Sequence, residues 1–277
     1  MLTGLSDTVG IAAGVAMPRL GFGTYRSAPG RETEQAVQWA LDTGYRSIDT
    51  AALYANEKSV GSAIRASEVV REDIFVTTKV WNDDQGYETT LRAFDESLSQ
   101  LGLGYVDLYL VHWPIPVRMR DTWRAMEEVA DAGRARAIGV CNHLPHHLEA
   151  LAAFARIPPA VNQVEFHPRL QQPELQRYCA EHSIMLEAWA PIMRGRVAEF
   201  SPLVEIARQH GRTAAQVALR WILQRGHVAI PKSVHLERIR ENADVFGFEL
   251  SAEEMATIDA LDAGERIGPD PDRYGSS

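Results

Sequence analysis

Val106-Asp107-Leu108-Tyr109-Leu110-Val111-His112 is an apolar run that ends on a histidine, and it is one of eight strand-like runs spaced along the chain. The others are Leu20-Gly21-Phe22-Gly23, Arg46-Ser47-Ile48-Asp49, Ile74 to Lys79, Ala137 to Val140, Val161 to Glu165, Met185 to Ala188 and Val228-Ala229-Ile230. Between them the period changes to that of a helix, with Leu91, Phe94, Leu98 and Leu101 at three- or four-residue steps and Trp123, Met126 and Val129 likewise. Gly44, Gly102 and Gly133 stand where left-handed helix caps are expected. Strand–helix alternation implies a parallel sheet, either open or closed, and eight units favour closure into an α/β (β/α)8 TIM barrel. Ahead of the first unit, Val9 to Met17 reads as a hairpin turning at Ala13-Gly14, placed to cover the barrel floor. Behind the last, Ser251-Ala252-Glu253-Glu254 has capping-box spacing, and the Gly/Pro/Asp-rich tail Gly264 to Ser277 reads as a flexible C-terminal flap.

Bulk properties agree with this reading. A chain of 277 residues, 45% hydrophobic, fits one α/β barrel of the usual ~250 residues, and with no low-complexity linker residues 1–277 are read as a single domain. The net charge of −9 provides no basic field for nucleic acid or anionic lipid, so a small-molecule partner is expected. Cys141 and Cys179 are too few for a disulfide framework, which suits a reducing compartment. The N-terminus lacks a basic segment followed by a long apolar one, and no stretch reaches the ~20 apolar residues of a membrane span. The expected location is cytoplasmic, and the expected state a monomer.

In such barrels chemistry sits where strands end. Asp49 closes the second run, Tyr54 follows five residues later, Lys79 closes the third and His112 the fourth. Singly, each is as readily a helix cap, a solvated charge or a core histidine. Together, on adjacent strand ends, they suit the reduction of a carbonyl. Hydride addition leaves an alkoxide that needs a proton, and a tyrosine can supply it although its ordinary pKa is ~10. A lysine ammonium beside the phenol would favour phenolate, a carboxylate would hold that lysine charged, and the histidine could orient the carbonyl oxygen by a hydrogen bond.

The stretches Gly44-Tyr45-Arg46-Ser47-Ile48-Asp49-Thr50-Ala51, Tyr54-Ala55-Asn56-Glu57, Val76-Thr77-Thr78-Lys79-Val80-Trp81 and Asp107 to Pro114 resemble the aldo-keto reductases. The likeness continues through Ile138-Gly139-Val140-Cys141-Asn142 and Ile230-Pro231-Lys232-Ser233 and covers essentially the whole chain. A short seventh loop is similar to the bacterial branch of 2,5-diketo-D-gluconate reductase-like enzymes. The resemblance places the family's catalytic tetrad on Asp49, Tyr54, Lys79 and His112, and implies an NADPH-dependent reductase of aldehydes, ketones or α-dicarbonyl and keto sugar acids.

It also implies an extended NADP(H) across the barrel mouth. Gly23, Thr24, Tyr25 and Asp49 would lie beside it, Cys141, Asn142 and Gln163 at the carboxamide, and Trp189 stacked on the nicotinamide. Ala190, Pro191, Ile192 and Gly195 would follow on the next loop. Gly21-Phe22-Gly23 lacks the third glycine of a Rossmann fingerprint. Lys232, Ser233, Val234 and Arg238, followed by Glu241 and Asn242, supply two cations and a hydroxyl near a helix start, a site for the extra phosphate of NADPH. Cys141 stands where most relatives have serine, and a buried inert thiol is the commoner state for such a residue. Tyr25, Trp81, His112 and Trp113 would wall the substrate pocket, with Arg273 and Tyr274 of the tail near it. A non-catalytic nicotinamide-binding regulatory subunit is the alternative, against which the full tetrad argues. A metal-dependent hydrolase using Asp49, His112 and His167 would leave Tyr54 and Lys79 unexplained, so no metal is expected.

Overall fold

The computed structural model describes residues 2–274. A two-stranded antiparallel hairpin, β1 (Thr8–Ala12) and β2 (Val15–Pro18), comes first, with Gly14 at positive φ in its turn. Eight parallel strands follow in sequential order: β3 (Phe22–Gly23), β4 (Ser47–Asp49), β5 (Phe75–Val80), β6 (Val106–Val111), β7 (Ala135–Cys141), β8 (Val161–Glu165), β9 (Met185–Trp189) and β10 (Val228–Ala229). All eight expected runs are strands, and the first is shorter than expected because Leu20 enters the sheet only as an isolated bridge.

The ends of the sheet meet. Leu20 bridges Ala229 and Gly23 bridges Lys232, both in parallel sense, and the Gly21 and Gly23 amides donate to the Ala229 and Pro231 carbonyls at 2.9 and 3.0 Å. This closes the (β/α)8 barrel between its first and last strands. Gly21 leaves little room at that seam, where an added methyl would lie 2.9 Å from Ile230.

Helices cover the outside because their apolar residues recur at helical spacing. Thr90, Phe94, Leu98 and Leu101 bury one face of the helix Tyr87–Leu101, and Trp123, Met126 and Val129 bury one face of Met119–Asp131. Ser251 caps the helix Ala252–Asp259 by accepting from the Glu254 amide, as its spacing indicates. The hairpin buries Ile11, Val15 and Met17 in one cluster with Phe75, Leu108, Ala137, Val161 and Val228, residues near the N-terminal ends or interior of the barrel strands. It thus seals the floor and leaves the mouth at the opposite, C-terminal strand ends.

The tail departs from the flexible flap suggested by its composition. Ile267 and Gly268 donate their amides to the two oxygens of Glu165, at 2.6 and 3.0 Å, and Arg169 pairs with Glu265 at 3.1 Å. A segment rich in glycine and proline is a poor helix or strand former, but its free N–H groups here find a carboxylate at the end of β8. The tail is therefore tied across the mouth as far as Tyr274, and Gly275 to Ser277 lie outside the described residues. Among the described residues no helix is long and apolar enough to cross a membrane.

Candidate active site

Asp49, Tyr54, Lys79 and His112 come together at the C-terminal ends of β4, β5 and β6. Lys79 is fully buried; its Nζ donates to Asp49 Oδ1 at 2.6 Å, to Asp49 Oδ2 at 2.8 Å and to the Thr50 carbonyl at 2.9 Å. Three oxygens thereby surround the ammonium, as a charge removed from water requires, and the Tyr54 hydroxyl also hydrogen-bonds to it. The same Nζ lies 5.1 Å from the centroid of the Tyr54 ring. Tyr54 packs edge-on against His112 at 5.7 Å and at a tilt against Tyr25 at 5.0 Å.

The short helix Ala52–Tyr54 that carries the phenol is held by Asn56, which is completely buried. Asn56 accepts from the Thr50 hydroxyl at 2.7 Å and donates to the Thr24 and Ser27 carbonyls at 3.0 and 3.2 Å. One amide thus joins the loop after β4 to the loop after β3. Next to it Glu57 accepts from Thr78 on β5 at 2.5 Å.

Electrostatics sets the protonation states. Burial pushes the Tyr54 phenol well above the ordinary range; Lys79 pulls the other way without overcoming it. Strand order alone reveals the lysine's effect but not the larger one of burial. The phenol is consequently protonated at neutral pH, the state a proton donor needs. Burial works to lower Lys79, but the adjoining Asp49 charge more than offsets it, so it stays an ammonium. Burial, then the Lys79 charge, hold His112 well below the usual imidazole range, leaving it neutral. Cys141 is buried and burial raises its thiol well above the ordinary value, so it is inert.

The residues expected around a cofactor line the same mouth. Thr24 is buried and donates its hydroxyl to the Asp49 carbonyl at 2.9 Å, while Tyr25 stands 46% exposed at the rim. Asn142 adopts a positive φ that asparagine tolerates better than most residues. Its amide nitrogen donates to the His112 carbonyl at 2.9 Å, and its oxygen accepts from Trp189 Nε1 at 2.9 Å. Gln163 points inward rather than to the rim: its Nε2 donates to Asp49 and to Glu187, each at 2.8 Å. After β9 the loop is contorted, with Ala190, Met193, Arg194 and Gly195 all at positive φ around Pro191 and Ile192. Gly268 of the tail is packed on the Trp189 indole, where an added methyl would lie 2.4 Å from Cη2.

On the opposite rim Lys232 donates to the Arg26 carbonyl at 3.2 Å. Arg238, exposed on the helix Leu236–Ala243, has no hydrogen-bond, ion-pair or ring partner among the described residues. Ser233 accepts from the His235 amide at 3.1 Å, Val234 is half-buried, Glu241 accepts from Thr213 at 2.7 Å and Asn242 is buried. An unpaired guanidinium and a half-buried ammonium near one helix start match a phosphate dianion, and the broad indole of Trp189 matches a flat ring, so these residues fit a phosphorylated dinucleotide.

Aromatic side chains wall the remaining space. Trp81 meets His112 edge-on at 5.1 Å, and Tyr274 of the tail lies 4.3 Å from Trp113 and 6.3 Å from Trp81. Arg273 is directed to solvent near Asp270, not into this pocket. Asp49 is engaged by Lys79 and His167 by Glu165, so the hydrolase set of Asp49, His112 and His167 shares no common ligand position. The sequence-based reading overlooked Asn56, Glu165 and Glu187. Asn56 stood in a motif already singled out, whereas the two glutamates are ordinary strand residues with no local signal.

A closed parallel barrel whose mouth joins a buried lysine–aspartate pair to a tyrosine, a histidine and a basic rim defines a barrel oxidoreductase. The aldo/keto reductase family model matches residues 19–263. Glyoxal reductase of Bacillus subtilis is 54% identical over 272 residues, covering 98% of this chain and 99% of that one. Methylglyoxal reductase DkgA of Yersinia pestis is 47% identical over 268 residues, covering 95% of each. Among solved structures, a mutant of Gox0644 in complex with NADPH has a TM-score of 0.92 at 42% identity, covering 97% of this chain and 98% of that one. The chain belongs to the aldo/keto reductase family, and it is an enzyme of the kind that uses NADP(H).

Proposed function

We propose that this enzyme reduces small α-dicarbonyl compounds and related aldehydes to hydroxy-carbonyl compounds and alcohols, with Tyr54 as proton donor. The observation that carries the reading is the buried Lys79 ammonium, held by Asp49 and the Thr50 carbonyl and hydrogen-bonded to the Tyr54 hydroxyl. Bound NADPH supplies the hydride. Tyr54 delivers its phenolic proton to the carbonyl oxygen, and the neighbouring Lys79 charge stabilises the phenolate left behind. Asp49 keeps Lys79 charged and immobile. Neutral His112 donates a hydrogen bond to the same oxygen and orients it.

Lys232 and Arg238 hold the extra phosphate, with Ser233 and the helix start beside them; Trp189 faces the nicotinamide and Asn142 its carboxamide, whereas Gln163, bonded to Asp49 and Glu187, is turned away from it. Tyr25, Trp81, Trp113 and Tyr274 exclude water from the reacting carbon. The choice of α-dicarbonyls rests on the two reductases of glyoxal and methylglyoxal among the relatives, and on the Arg273 guanidinium being turned to solvent beside Asp270. The test is NADPH oxidation with glyoxal, methylglyoxal, simple aldehydes and keto acids. Glyoxal or methylglyoxal should give the highest kcat/KM; a clear preference for carboxylate-bearing substrates would overturn the assignment. Tyr54→Phe should lose at least about 10³-fold in kcat while binding NADPH normally, and near-normal turnover would remove Tyr54 from the mechanism.

A further inference from the structure

Beneath the residues proposed for catalysis lies a carboxyl group that the mechanism does not use. Glu187, on β9, is completely buried. Its Oε2 accepts from Gln163 Nε2 at 2.8 Å, and that same nitrogen donates to Asp49 Oδ2 at 2.8 Å. Its Oε1 has no hydrogen-bond partner among the described residues. One amide nitrogen therefore spans two carboxyl groups inside the barrel, and the Lys79 ammonium touches only one of them.

The surroundings decide which carboxyl is ionised. Asp49 comes from β4, Lys79 from β5 and the Cys141 thiol from β7; β8 contributes the uncharged Gln163, and Val228, opposite Glu187 on β10, is apolar. A single cation cannot balance two carboxylates buried this deeply, so one acid keeps its proton. Asp49, in direct contact with Lys79, is the ionised one. Burial, then the Asp49 charge, push Glu187 up to about 8 against the opposing effects of Gln163 and Lys79.

We propose that Glu187 is a positioning residue for the reaction: it holds the Gln163 amide against Asp49, and by keeping or releasing one proton it sets the negative charge beneath the Lys79–Tyr54 pair. With Glu187 protonated, the charges beneath the phenol are, among the described residues, those of Asp49 and Lys79, and the phenol gives up its proton most readily. Ionised Glu187 adds a second negative charge, disfavours phenolate and slows proton delivery. The proposal rests on Tyr54 and Lys79 being the proton-donating pair.

Glu187→Gln keeps the shape of the protonated acid and cannot ionise; Glu187→Met, of similar length and apolar, is the second variant. The first measurement uses cofactor-free protein. An unfolded glutamate loses its proton near pH 4.5, whereas folded Glu187 keeps it until near pH 8, so the native state binds more protons in that window and loses stability as pH rises through it. The Tm of the parent should fall relative to Glu187→Gln between pH 5 and 8 and run parallel above it. The second is kcat against pH: a fall of roughly fivefold between pH 7 and 9 in the parent should shrink to under about twofold in both variants. A Tm difference that does not change with pH, or a kcat profile that keeps its fall in Glu187→Gln, would overturn the proposal. Failure of the underlying reading is seen separately, as normal turnover of Tyr54→Phe.

Discussion

Replacing Lys79 by methionine removes the cation but leaves Asp49 inside the barrel, where the lysine and aspartate side chains are only 0% and 3% exposed. Breaking a buried pair from one side strands the other charge and costs about 3–5 kcal/mol, more than the pair itself contributes. For 277 residues the unfolding entropy is about 0.6 kcal/mol per degree, so Tm should drop by roughly 5–9 °C. Asp49→Asn should cost a similar amount, since the ammonium then keeps only neutral acceptors such as the Thr50 carbonyl. The double variant strands neither charge and should be less destabilised than the two singles added together, by about 2 kcal/mol or more. Scanning calorimetry of the four cofactor-free proteins at pH 7 makes the comparison. Single losses under about 1 kcal/mol that simply add would show that the pair is not a desolvated unit, and the argument that Asp49 sustains the charge on Lys79 would fall with it.

Gly268→Ala should push the tail or the Trp189 indole out of place, because the new methyl would sit 2.4 Å from the ring. If Trp189 faces the cofactor, the dissociation constant for NADPH, followed by protein fluorescence, should rise about tenfold, and an unchanged value would separate Trp189 from cofactor binding. Lys232→Gly combined with Arg238→His should weaken NADPH about 100-fold and NADH less than about threefold, since two charge-assisted contacts to one phosphate are removed. Equal losses for the two cofactors would place the phosphate elsewhere.

Much of this architecture is written in short stretches of the chain. Each barrel strand is a contiguous run, the Ser251 capping box is four residues long, and the four residues at the strand ends could be recognised because each sits at a predictable position in its own βα unit. What escaped depends on pairing between distant elements. Glu187 looks like a stray acid in the run Met185 to Ala188, and only the parallel register that sets it opposite Gln163 reveals the shared amide. Glu165 is similarly silent until the tail, about a hundred residues later, brings two amides to it. The Tyr54 phenol was misjudged for a related reason, since a neighbouring lysine can be inferred from strand order whereas the extent of burial cannot.

The seam between β3 and β10 bears on how the chain reaches and keeps its native form. Its contacts join residues more than 200 positions apart, the greatest loop-closure cost in the barrel, and the Lys232–Arg26 clasp lies across the same line. Ring closure is therefore expected late in folding, after the sequential pairing of β4 through β9. If Lys232 holds a dinucleotide phosphate, as proposed, it can grip that phosphate fully only after the ring has closed. The cofactor should consequently slow unfolding while leaving the folding rate untouched, which would make the bound protein longer-lived than the free one; equal effects on both rates in stopped-flow experiments would contradict that order of assembly.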